Sequence, residues 1–447
     1  MRNNENLSIH EERGSSAIPQ KSIRTPQTLT AIVVVCCFLT IMAEGYDLGI
    51  YGAVISSLLA DKAWTLTPVQ AGLIGSYALI GMMLGNVLVG TISDIIGRKW
   101  SLITCLAIFS VTMGLCAIAT SPEMLGIFRF VGGVALGGAM PIATAMTIEF
   151  SSPHRRSLMN AIMFSGYPIG GVLGVMLSMF FLDDYGWRFL FWLGLTPIII
   201  VPILIWKLPE SLNYLVARNR RTEAEAICMR YQIDLSAVQK SDGRTETKSK
   251  WNAVSLIFSK LYIRTTAFFW LTFFMGLLLV YGLSTWLPKM MVQAGYPLGS
   301  SLALLLMLNF TSAIGALGAG AAADRWGSKR VISIAYFAAA VSIALLSLKP
   351  PALLLYPLIG IAGIGSTGIL IILSAYITKY FPTHARGTAL GWASGIGRIG
   401  ASCGPILGGL LLSWELDINV NFYIFALAAL IASISILLIP VEKDRLI

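Results

Sequence analysis

Charge is scarce in this chain. Asp, Glu, Lys and Arg make up 12% of its 447 residues, about half the share of a soluble globular protein. With 56% hydrophobic residues and a mean hydropathy of +0.76, an ordinary water-soluble domain is excluded. Histidine is scarcer still: only His10, His154 and His384 occur. No nucleophile–base pairing, metal-ligand spacing or phosphate-cradling glycine loop accompanies them. Enzyme chemistry and ATP hydrolysis by this chain alone are therefore excluded, and no cofactor or metal is expected. Cysteine is also sparse. Cys36, Cys37, Cys105, Cys116 and Cys403 fall in apolar stretches and Cys228 in a polar connection, which suggests neither disulfides nor a metal site.

What is abundant is the long apolar run. Twelve stretches of about 20 residues, the length that crosses ~30 Å of hydrocarbon, lie near 29–52, 68–92, 100–120, 123–150, 157–181, 187–208, 264–288, 299–323, 330–348, 351–380, 386–412 and 420–440. Backbone in lipid must satisfy its own hydrogen bonds, which leaves helices or a closed barrel. Uninterrupted runs without period-2 alternation exclude the barrel. The expected fold is all-α and membrane-integral, with 12 transmembrane helices.

The net charge of +10 is a topology signal and does not point to nucleic acid. Of the 32 Lys and Arg, 26 fall in the tails and the even-numbered connections. Lys62, Arg188, Lys289 and Lys349 fall on the other side, and Arg129 and Arg398 lie inside spans. The positive-inside rule then puts both termini in the cytoplasm. Residues 1–28 lack a small-residue cleavage site and read as a cytoplasmic tail.

An internal repeat organises the chain. Gly90, Asp94, Gly97 and Lys99 recur as Gly320, Asp324, Gly327 and Lys329, an offset of 230. The same offset relates His154, Arg156 and Gly170 to His384, Arg386 and Gly400, and Gly133 and Gly138 to Gly363 and Gly368. The expectation is two six-helix halves in the same orientation, 29–208 and 264–447, joined by a polar cytoplasmic linker at 209–263.

Four charges sit where charge is costly. The first span contains Ala43-Glu44-Gly45-Tyr46-Asp47, and a carboxylate at bilayer depth costs roughly 2.5–3.5 kcal/mol on the lenient scale. Glu44 and Asp47 are three apart, on one helical face. Burial and a neighbouring like charge both disfavour the ionised form of a carboxyl, as a group that exchanges protons requires. Arg398, well inside the eleventh span, needs an anionic partner: Asp47, Glu44 or the carboxylate of a substrate, which a guanidinium fork binds through both oxygens. Arg129 poses the same question in the fourth span. Among aromatics that could stack on a ring are Tyr46, Tyr167, Tyr281, Trp286 and Trp392. Asn309 could bond a substrate hydroxyl or a neighbouring helix.

Gly90-x3-Asp94-x2-Gly97-Arg98-Lys99, Arg129-x2-Gly132-x4-Gly137 and Pro209-Glu210-Ser211 resemble the signatures of the major facilitator superfamily. Within it, Glu44-Gly45-Tyr46-Asp47, Tyr281-Gly282-Leu283-Ser284-Thr285-Trp286-Leu287-Pro288 and Gly397-Arg398-Ile399-Gly400 followed by Gly404-Pro405 resemble the aromatic acid/proton symporters. Many members carry Asp where this chain has Glu44, so substrate preference does not carry over with the motif.

The resemblance implies a proton-coupled importer of an aromatic carboxylate of the benzoate or hydroxybenzoate class, working by alternating access. It would be a multi-pass protein of the inner (plasma) membrane, acting as a monomer. Glu44, Asp47 and Arg129 would couple protons; Arg398, Tyr281, Asn309 and Trp392 would bind substrate. Other readings are a proton-linked drug or metabolite efflux antiporter, a symporter for muconate-like aliphatic acids or sugars, and a sensor that binds without translocating. The resemblance also implies a cytoplasmic latch of Gly90, Asp94, Gly97, Arg98, Glu149 and Arg156. At offset 230, Arg98 becomes Ser328 and Glu149 becomes Lys379. That paired change predicts an Arg98–Glu149 contact in one half and an Asp324–Lys379 contact in the other.

Overall fold

The computed structural model describes residues 26–231, 253–382, 385–414 and 416–440. The expected tail up to residue 25, with His10, the middle of the linker and His384 lie outside the described residues. Among the described residues there are helices and no strand. In order they are α1 (Pro26–Ala60), α2 (Pro68–Ile96), α3 (Arg98–Ala117), α4 (Pro122–Glu149), α5 (Arg156–Phe164), α6 (Gly166–Leu193), α7 (Ile200–Lys207), α8 (Leu212–Ala217), α9 (Arg221–Tyr231), α10 (Ile263–Gln293), α11 (Leu298–Trp326), α12 (Ser328–Leu346), α13 (Ala352–Gly363), α14 (Ile369–Tyr380), α15 (Arg386–Ser413) and α16 (Ile418–Leu437).

Local chemistry sets the helix ends. Thr67 and Gln70 form a capping box at the start of α2, with Pro68 supplying a first turn that needs no N–H. Ser121 caps α4 by accepting from the Met124 N–H, ahead of Pro122. α2 stops at Gly97, with φ 111°, and α11 at Gly327, with φ 89°, a backbone region that side chains resist. These two stops are related by the offset of 230, and so are the helices before them: α2 spans Pro68–Ile96 and α11 spans Leu298–Trp326. The repeat is therefore present in the backbone.

Eleven helical stretches among the described residues are long and apolar enough to cross a membrane. One of them, Leu158–Lys207, has 50 residues, which at 1.5 Å per residue exceeds twice the ~30 Å a crossing needs. It is broken at Gly186, with φ 73°, so it has room for two crossings, 158–185 and 187–207.

Helices up to α7 pack among themselves, chiefly α2 on α4, α1 on α6 and α3 on α4. Helices from α10 onward do likewise, chiefly α10 on α15 and α12 on α16. Glycines make these approaches close: a side chain on Gly85 or Gly137 would collide with the backbone of the facing helix. Three seams join the groups: α2 with α15, α6 with α11, and α1 with α10. The seams are tight at the end of the bundle where α2 begins and α15 finishes. There Gly52 abuts Ser284, Gly72 abuts Pro405 and Gly409 abuts Pro68, all through backbone oxygens. At the opposite end, Gly90, Gly320, Gly387, Gly391 and Gly395 have open space where a side chain would stand.

Candidate functional site

α1 runs unbroken through Glu44 and Asp47, and both are buried, 1% and 4% exposed. The two carboxylates have different surroundings. Arg129 of α4 holds Asp47 through both oxygens, Nη1–Oδ1 2.8 Å and Nη2–Oδ2 3.3 Å. The Tyr51 ring lies 4.1 Å from that guanidinium and donates its hydroxyl to the Ala71 carbonyl. Neither oxygen of Glu44 has a hydrogen-bond partner among the described residues. The charges that act on it are Arg398, from across the seam, and Asp47.

Arg398 has no carboxylate within ion-pair distance among the described residues. Its Nη1 and Nη2 rest 3.9 and 3.8 Å from the Sδ atoms of Met82 and Met140, and a thioether is only a weak acceptor. Tyr281 and Tyr167 interact with Arg398 as well, and their hydroxyls are 3.4 Å apart. The centre thus holds one closed ion pair and, beside it, an unpartnered acid and an uncommitted guanidinium. A buried carboxylate without hydrogen bonds is costly. A proton, or a rearrangement that brings Arg398 within reach, removes that cost. An incoming carboxylate would satisfy Arg398.

A family model for the Major Facilitator Superfamily matches residues 37–319 and 307–446. The chain belongs to the major facilitator superfamily. Within it the chain groups with the aromatic acid transporters. It is 37% identical over 419 residues to the benzoate transport protein of Acinetobacter baylyi, covering 91% of this chain and 89% of that one. It is 36% identical over 400 residues to the gentisate transporter of Corynebacterium glutamicum, covering 89% and 84%. Its fold matches the E. coli xylose transporter XylE in a partially occluded inward-open conformation, with a TM-score of 0.73 at 17% identity over 92% of this chain and 100% of that one. It is a multi-pass inner-membrane transporter and not an enzyme.

Tyr281 and Asn309 lie at the centre beside the charged residues, and Trp392 does not. Tyr281 is buried on the cavity that contains Asp47 and Arg129. Asn309 lines a neighbouring cavity with Gly45 and Tyr167. Trp392 is instead 43% exposed. It stacks on Trp270, 5.6 Å between centroids, with Phe258 edge-on at 5.6 Å. Its ring partners lie within α10 and just ahead of it, away from the cavities that Asn309 and Tyr281 line. Trp286 is likewise spent on structure, donating to the Pro405 carbonyl at 2.8 Å.

At the separated end, Arg98 meets Glu149 at 3.0 Å. The same carboxylate accepts from Ser211 Oγ at 2.8 Å and from the Asn213 N–H at 2.9 Å. Glu210 accepts from the Lys99 N–H at 3.0 Å, and Tyr214 and Arg218 both donate to the Ile95 carbonyl at 3.1 Å. The pair is formed within one half while the halves are apart at this end, so it straps α8 to the bundle. The expected Asp324–Lys379 contact is absent in this structure: both residues are exposed, and no ion pair joins them. No counterpart of α8 is described beside them to bind either charge. Asp94 is exposed beside Gly90, and among the described residues Arg156 donates only to the Ser151 carbonyl, at 3.5 Å.

Sequence reasoning missed the Tyr51–Arg129 contact, the two methionines under Arg398, and the hydroxyls of Ser284 and Thr367. One signal was available: Tyr51-Gly52 and Tyr281-Gly282 are related by the offset of 230. Both tyrosines border the charged centre.

Proposed function

We propose that this protein imports an aromatic carboxylate of the benzoate or hydroxybenzoate class together with protons, by alternating access. The observation that carries this reading is the pairing of an unpartnered buried acid, Glu44, with an uncommitted guanidinium, Arg398, where the two groups of helices meet. Protons load Glu44 and Asp47, and protonation of Asp47 releases Arg129. The substrate carboxylate engages Arg398, and Tyr167 and Tyr281 offer ring contacts and hydroxyls beside it. With these charges neutralised, the halves can rock about the site, because empty charged sites are costly to occlude. The membrane potential contributes ~2.3 kcal/mol per net positive charge per 100 mV; one anion carried with two protons would draw on it, and one proton would not.

The topology belongs to the same proposal. Dividing Leu158–Lys207 at Gly186 makes twelve crossings in two six-helix halves. The excess of Lys and Arg at the separated end supports cytoplasmic termini, which makes the tight end external. The latch residues would then act at the cytoplasmic mouth.

The test is substrate chemistry at Arg398. Arg398→Lys should weaken benzoate-class uptake strongly, because Lys cannot bind both oxygens in one plane. Methyl esters and amides of the substrate should fail to compete in the unaltered protein. Equal competition by a neutral amide would overturn a carboxylate reader.

A further inference from the structure

Leu48 lines two cavities, so α1 partitions the centre of the protein. On one side is the Asp47–Arg129 pair. On the other is a cavity bordered by Tyr167, Val280, Ser284, Asn309 and Thr367. Its volume, about 10 Å³, is that of one water, and therefore of one hydroxyl group.

Three polar atoms of this cavity are uncommitted among the described residues: the hydroxyls of Ser284 and Thr367 and the amide oxygen of Asn309. Many buried Ser and Thr hydroxyls elsewhere in the bundle fold back onto the preceding turn, as Thr40, Ser110, Ser178 and Ser312 do at 3.0, 2.8, 2.8 and 2.7 Å, although Ser56, Thr147 and Ser259 do not. Ser284 and Thr367 have no hydrogen-bond partner for their hydroxyls among the described residues. Asn309 donates its amide to the Leu305 carbonyl at 3.0 Å, which leaves Oδ1 as a free acceptor facing Gly171, where a side chain would collide with it. Thr367 lies in a π-turn, Ile364–Gly368, between α13 and α14. Such a turn inserts an extra residue and shifts the register, and it recurs at functional sites. Its neighbour Ser366 is committed, to the Gly363 carbonyl at 2.9 Å.

Resting on the aromatic-carboxylate reading above, we propose that Asn309, Ser284 and Thr367 form a subsite for a ring hydroxyl, so that the transporter favours a hydroxylated aromatic acid over benzoate. Tyr167 borders this cavity and also interacts with Arg398. A ring whose carboxylate meets Arg398 therefore extends past Tyr167 toward the subsite. Its hydroxyl donates to Asn309 Oδ1 and accepts from Ser284 or Thr367, while Leu48 and Val280 contact the ring edge. Benzoate would leave all three polar groups unpaired, and unpaired site groups are what give strong rejection of an analogue lacking a hydroxyl.

The test uses the full-length protein in proteoliposomes under an imposed pH gradient, with radiolabelled benzoate and the three monohydroxybenzoates as probes. The unaltered protein should take up at least one hydroxybenzoate with an efficiency about tenfold or more above benzoate. Asn309→Leu and, separately, Thr367→Val should each lower that ratio by about fivefold or more. Because the readout is a ratio, a variant that folds in lower yield still reports. Equal efficiency for benzoate and every isomer, or a ratio unchanged in both variants, would overturn the subsite while leaving the carboxylate reading in place. Failure of the unaltered protein to take up any of the four acids would overturn both.

Discussion

Arg129 holds Asp47 through both carboxylate oxygens, at 2.8 and 3.3 Å, in a part of the protein where both residues are buried. Removing one partner of a buried pair leaves an uncompensated charge and typically costs ~3–5 kcal/mol. Arg129→Gln should therefore lower the thermal stability of the purified protein markedly. The double variant with Asp47→Asn should recover most of the loss, because no charge is left behind. If the single and double variants unfold alike, the pair is not a stabilising contact.

Asp47→Asn alone should abolish uphill accumulation; because it strands Arg129 it should also lower stability, so uptake is read per inserted molecule. Undiminished pH-driven uptake by this variant would remove Asp47 from the coupling machinery. Glu44→Gln tests the other acid. Neither oxygen of Glu44 is bonded among the described residues, and an unpaired buried charge is costly, so removing it should leave stability unchanged or raise it. Exchange of substrate across the membrane should continue without a pH gradient, while a gradient should no longer drive accumulation.

The tight end of the seam depends on residues without side chains. A side chain on Gly72 would collide with the Pro405 carbonyl. Gly72→Val should hold that end open and raise the accessibility of a cysteine placed near Leu59 to an impermeant thiol reagent. Unchanged labelling would mean that α2 and α15 do not form the external seal.

Arg98 and Glu149 are 3.0 Å apart. Each reversal, Arg98→Glu or Glu149→Arg, should impair transport by setting like charges together. The double swap should recover part of the loss, with a coupling of about 0.5–3 kcal/mol. Ser211 and Asn213 also bond Glu149, so recovery should be incomplete. A double swap no better than the sum of the singles would show that the contact does not matter in the transport cycle.

Trp392 stacks on Trp270 and Phe258, away from the charged centre. Trp392→Ala should leave the apparent substrate affinity within about twofold, an effect on the scale of an exposed substitution. A tenfold rise in KM would return this ring to the binding site.

Much of the fold was legible because helix boundaries in a membrane are set by local rules. Thr67-Pro68 and Ser121-Pro122 mark starts, Gly97 and Gly327 mark stops, and the offset of 230 relates one half to the other. Partner choice in the site was less legible. Residues three apart share a face, yet their directions still differ by about 60° around the helix. That divergence is enough to send Asp47 to α4 while Glu44 is left unbonded, acted on by the charge of Arg398 across the seam. It also follows that the acids do not form a simple pair. The ring partners of Trp392 were hidden for a related reason: Trp270 lies on a different helix, and spacing along the chain carries no information on that contact. The uncommitted hydroxyls of Ser284 and Thr367 were invisible for the same reason.

The central claim is that carboxylate and proton enter together through the site between Glu44 and Arg398. The most direct test is external pH in a lightly buffered suspension of de-energised cells expressing the protein, on addition of benzoates, muconate or sugars. The account predicts prompt alkalinisation with an aromatic acid, abolished by Glu44→Gln and absent with a sugar. Acidification on adding substrate, as an exporter exchanging protons would give, or alkalinisation by a sugar alone, would contradict it.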